Sequence, residues 1–147
     1  MRRTILLATL LLAACGRGGG TPDVSVSDAW VREARSGSTA AYLTIANSGD
    51  GDDRLISVTV PAPAQASLHS TTSEDGITRM RPLPDGLPIP AGETVALRPA
   101  RTHVMIMGLS APLEPGGTLP LTLRFERSGE RQVAAEVRPA AAAAMHH

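Results

Sequence analysis

Cysteine occurs once in this 147-residue chain, at Cys15, and lysine does not occur at all. A single thiol allows no internal disulfide and no Cys-x-x-Cys pair, which excludes thiol–disulfide exchange chemistry. Trp30, Tyr42 and Phe125 are the only aromatic residues, so the apolar 42% is mostly Ala, Val, Leu and Ile. Fourteen arginines balance fourteen acidic residues. No basic block or aromatic interleaving appears, which argues against a nucleic-acid partner. Twelve prolines and fourteen glycines punctuate the text throughout. They disfavour long helices and favour short strands joined by turns.

The longest apolar run is ILLATLLLAA near the N-terminus, preceded by Arg2 and Arg3. It is too short to span a bilayer and has the layout of an export signal. It ends in Leu12-Ala13-Ala14-Cys15, which resembles a bacterial lipobox. Residues 1–14 are therefore expected to be a lipoprotein signal peptide, with Cys15 lipidated as the mature N-terminus. Loss of Arg2 and Arg3 with the leader leaves a net charge of −2. The Gly-rich residues 15–23 read as a flexible tether to a membrane, and the location as the bacterial periplasm.

From Val24 onward the chain breaks into short alternating runs. Strands are expected at 24–33, 39–47, 54–60, 66–71, 77–82, 94–99, 102–109, 119–126 and 132–138. Turn formers such as SGDGDD, SEDG, LPDGLPIPAGE, EPGG and SGE separate them. Nine short strands at this spacing predict an all-β sandwich or Greek-key barrel over residues 24–139. The Ala-rich tail at 140–147 is expected to be frayed.

Against this background the scarce His and Met residues are not scattered. His69 and Met80 lie on the two strands of a hairpin closed by SEDG, where residues eleven apart can face one another. His103 and Met105 share one face of the strand THVMIMGL. Two imidazoles with two thioethers suit a soft ion such as Cu(I) and suit Zn²⁺ or hard cations poorly. A thiolate-free site also fits an oxidising compartment. On residue chemistry alone a core or surface role for these side chains stays open, because a lone Met on a strand is usually packing. Met107 is expected to pack beneath the group.

The spacing His69, ten residues, Met80, twenty-two residues, His103-Val104-Met105 resembles the H-x10-M-x21-H-x-M signature of the periplasmic copper chaperones called PCu(A)C. DAWVRE, TAAYLTIAN and MRPLPDGLPIPAGETVALRP add to the likeness, which covers about residues 24–138. The resemblance implies a cupredoxin-like Greek-key β-sandwich of eight to nine strands that binds one Cu(I) through His69, Met80, His103 and Met105. The chain departs from the signature by one extra residue before His103 and by the lack of a Met just after His69.

The implied function is a metallochaperone, not an enzyme. It would deliver copper to the CuA site of cytochrome c oxidase or to an assembly factor, and act as a monomer held to the membrane only by its lipid. A copper-sequestering lipoprotein with no oxidase partner is the alternative. Blue-copper electron transfer is excluded, because it needs a Cys thiolate and Cys15 is taken by the anchor. Met145, His146 and His147 offer an accessory site whose nitrogen and oxygen donors favour Cu(II).

Overall fold

The structure is a computed structural model that describes residues 19–145. The signal segment, Cys15 and the final His146-His147 pair lie outside the described residues. Ten strands follow one another: β1 (Val24–Arg32), β2 (Gly37–Asn47), β3 (Asp53–Thr59), β4 (Gln65–Glu74) and β5 (Ile77–Pro82), then β6 (Leu87–Ile89), β7 (Thr94–Ala96), β8 (His103–Leu109), β9 (Thr118–Phe125) and β10 (Gly129–Arg138). Nine of them coincide with the nine expected from sequence. The tenth, β6, lies inside LPDGLPIPAGE, where a turn was expected. Its prolines mask the strand pattern, yet it pairs with β3 from Asp53 to Leu55.

The period-two pattern sets the layers. In β9, Leu119, Leu121, Leu123 and Phe125 are buried while Thr118, Pro120 and Arg124 are exposed. The hydrogen-bonded order is β5-β4-β8-β2-β1-β10-β9-β3-β6, with β7 also on β2. β2 changes partner along its length, taking β8 at Ser38–Ala41 and β7 at Thr44–Ala46. First and last strands pair in parallel, Trp30 beside Glu136 and Val31 beside Val137. All other pairings are antiparallel.

One aliphatic core joins strands from the whole length of this order, including Leu43, Leu55, Leu68, Ile106, Leu121 and Val137. Strands distant in the sheet path thus bury the same core, so the sheet folds over on itself. This is the cupredoxin-like Greek-key β-sandwich. Each such Leu or Ile contributes about 1.5–3 kcal/mol of burial.

A second, small cluster sits outside that core. The Trp30 and Tyr42 rings lie 4.5 Å apart at 40°, and Ala143 packs against them. Ala143 belongs to a 3₁₀ helix, Ala140–Met145, where a frayed tail was expected. The physical reason is an available partner. The tail has an aromatic pair to cover, and the Ala140 N–H donates to the Glu33 carboxylate at 2.8 Å.

Candidate metal centre

The registers of β5, β4 and β8 bring the four candidate residues to one face. His69 stands directly opposite His103, and Ser67 opposite Met105. On the other side of β4, Thr71 stands opposite Met80. Thr71, His69 and Ser67 alternate along β4, so they share a face, and that face carries Met80, His103 and Met105 as well. Val104 and Ile106 point the other way, into the core, and are fully buried. Both ladders run without a register shift. The residue that exceeds the signature spacing therefore falls between Pro82 and His103 and leaves the face of Met80 unchanged.

The hairpin that delivers Met80 is fixed by its turn. Asp75 and Gly76 both have positive φ, 52° and 76°. Positive φ at both central residues is the type I′ geometry that favours Asp-Gly and matches strand twist.

The two imidazoles have centroids 6.1 Å apart and planes 19° apart. Two metal–nitrogen bonds of about 2.0–2.1 Å plus two ring radii span about 6.4 Å at most, when collinear. The observed spacing sits at the wide edge of what one ion can bridge.

His103 is nearly buried, 5% exposed. Its Nδ1 lies 2.9 Å from the Arg101 carbonyl oxygen. A carbonyl only accepts, so Nδ1 carries the proton and the Nε2 lone pair is left for an ion. The same carbonyl accepts the Thr71 N–H at 3.2 Å. One backbone oxygen therefore ties β4 to the loop before β8 and orients the ring. His69 is held more loosely, its Nδ1 3.4 Å from the Ser67 hydroxyl.

Exposure is graded across the face. His103 is buried, His69 and Met105 are half-buried, and Met80 is 50% exposed. Thr71, Met80, His103 and Met105 line one open depression together with Tyr42 and Arg32, whereas His69 is not among its lining residues. Burial raises the Tyr42 phenol above its ordinary pKa, and the Arg32 charge and hydrogen bond offset part of that. Among the described residues no group of three or more His, Cys, Asp or Glu side chains is placed to hold a metal ion.

Met107 departs from expectation. It shares the face of Met105, but that face is the outside of the sandwich, and Met107 is 48% exposed. It stands between Gln65 of β4 and Ser38 of β2. It is not a packing residue. Sequence reading also missed the Arg101 carbonyl, because a backbone group leaves no mark in a side-chain pattern.

The model of the family described as "Putative lipoprotein LpqE-like" matches residues 24–137. The chain belongs to this LpqE-like family. A relative from Leifsonia xyli subsp. xyli (strain CTCB07), "Putative lipoprotein Lxx21020", is 41% identical over 115 residues, 78% of this chain and 69% of its own length. Among solved structures, the LpqE-like chain is similar to the apo PCuAC domain from PmoF1. That match has a TM-score of 0.66 at 24% identity, covering 79% of this chain and 93% of the other. It establishes the fold. It is also similar to CuI-DR1885 from Deinococcus radiodurans, with TM-score 0.60 and 33% identity over 77% and 78% of the two chains. The PCu(A)C resemblance read from the sequence is borne out.

Proposed function

We propose that this LpqE-like protein is an extracytoplasmic copper carrier that holds one Cu(I) on the outer face of β4, β5 and β8. His69, Met80, His103 and Met105 are its ligands. The observation that carries the reading is the convergence of two imidazoles and two thioethers, from three strands, on one face. His103 has its free Nε2 set by the Arg101 carbonyl. The similar protein from Deinococcus radiodurans has been solved in a CuI form, which supports the choice of ion. The donor set fits that ion, since thioether sulfur is soft and neutral and imidazole adds stronger donation.

The gradient of exposure suits transfer. Met80, on an exposed strand, is the ligand an acceptor reaches first, and the locked, buried His103 is the last to let go. An acceptor thiolate or imidazole replaces one ligand at a time, and Cu(I) is never released free. The chain acts as a carrier and does not catalyse a reaction. Its acceptor is the CuA site of cytochrome c oxidase or an assembly factor for it. Cys15 anchors it to a membrane facing the periplasm, and Met145 with His146 and His147 adds a weak Cu(II) site.

Deletion of the gene tests the delivery step. The expected result is loss of CuA from the oxidase with copper tolerance unchanged. Copper sensitivity with a normal oxidase would favour sequestration instead.

A further inference from the structure

The two ends of the sheet are treated differently. At one end, β6 is three residues long, contains Pro88 and is followed by Pro90. Pro and brevity are how edges are blunted against pairing. At the other end, β5 is six residues long, exposed at every position, free of bulges and without Pro until Pro82. Among the described residues nothing pairs with its outer side.

The outward groups of β5 can be identified. The Thr71 N–H donates to Arg101, away from β5, and the Leu83 N–H donates to Leu68. Antiparallel pairs alternate, so Leu68–Leu83, Ser70–Arg81 and Thr72–Arg79 are the hydrogen-bonded pairs. Thr71–Met80 and Ser73–Thr78 are then the open pairs, and the N–H and C=O groups of Thr78 and Met80 point outward. Thr78 and Met80 share the metal face, while Ile77, Arg79 and Arg81 occupy the opposite face. Neither Arg79 nor Arg81 forms an ion pair among the described residues.

We propose that β5 is a docking edge onto which an acidic, extended segment of a partner protein adds as a further strand, pairing with the backbone of Thr78 and Met80. Such a strand has two faces. One lies against Arg79 and Arg81 and calls for Asp or Glu at alternate positions. The other faces the metal side, where the residue opposite Met80 sits about 4.5–5.5 Å away between Cβ atoms. A Cys, Met or His at that position is placed to take the ion. A second copy of this chain is a poor occupant, because it would set Arg79 and Arg81 against their own like charges. The transfer role of the position opposite Met80 rests on the copper-carrier reading, whereas the strand pairing does not.

The probe is a fluorescent heptapeptide alternating Glu with Val around one central Met, titrated by anisotropy into the copper-free full chain in detergent. The expected result is saturable binding that Thr78→Pro weakens at least tenfold. That substitution removes one outward N–H and leaves the β4–β5 ladder intact. Arg79→Glu with Arg81→Glu should lose the acidic peptide and gain its Lys-for-Glu counterpart. Cu(I) uptake by Thr78→Pro should match the wild type. The proposal is overturned if the acidic peptide does not bind, or binds Thr78→Pro as well as wild type. It is also overturned if a peptide with its Glu residues clustered binds equally, or if the chain pairs with itself through β5. Because the titration is copper-free, failure to bind Cu(I) would sink the carrier reading alone.

Discussion

At the scale of single residues, the two sulfurs proposed as ligands, Met80 and Met105, and the neighbouring Met107 sulfur that is not proposed as one give the sharpest contrast. Met80→Leu and Met105→Leu keep volume and remove the thioether. Each should lower Cu(I) affinity at least tenfold, about 1.4 kcal/mol, in competition with a chromogenic Cu(I) chelator. Met107→Leu should leave affinity unchanged and move stability by no more than about 0.5 kcal/mol, since the residue is half exposed. Far from the metal face, Asp53 is nearly buried beside the β9–β10 turn. Burial pushes its carboxyl up. The Ser128 hydroxyl and the N–H groups of Arg127, Arg54 and Ser128 outweigh burial and hold it below the ordinary carboxylate range. A depressed folded-state pKa gives stability that is fully present above the unfolded value of about 4 and is lost as pH falls through the lower, folded one. Asp53→Asn should therefore be destabilising at pH 7, by about 0.5–3 kcal/mol. It should also flatten the acid limb of a urea-denaturation series run from pH 6 down to pH 2.

At the scale of elements, the turn that closes β4 onto β5 decides where Met80 stands. Gly76 at φ 76° tolerates a conformation that costs a side-chain-bearing residue about 1–2 kcal/mol. Gly76→Val should loosen the hairpin and weaken Cu(I) binding while the thermal transition of the core moves little. Equal losses of both would mean that the hairpin is not an independent unit. The hairpin was legible in the sequence because Asp-Gly between alternating runs has one favoured geometry. β6 was not, since three residues flanked by prolines carry no periodicity, and its pairing comes from β3, which is distant in sequence. The 3₁₀ helix was illegible for a similar reason. Five alanines in a row specify no partner, and only the fold places Trp30 and Tyr42 beneath Ala143. Ala143→Asp should unseat that helix and shift Trp30 fluorescence to the red, with Cu(I) affinity kept.

At the scale of the whole molecule, the core and the candidate metal face are built from opposite sides of the same strands. The core takes Val104 and Ile106 from β8, and the metal face takes His103 and Met105 from the same strand. The alternation that made the fold readable also separated the two faces, and so the shared face of His103 and Met105 could be read before any geometry was known. Met107 was misread because periodicity gives its face but not whether a second layer covers that face. The most direct test of the account is X-ray absorption on the full chain loaded with one equivalent of Cu(I). The expected first shell is two nitrogen and two sulfur neighbours, with one sulfur lost in Met80→Leu and in Met105→Leu. A shell of nitrogen and oxygen alone, or a sulfur count that neither substitution changes, would contradict it.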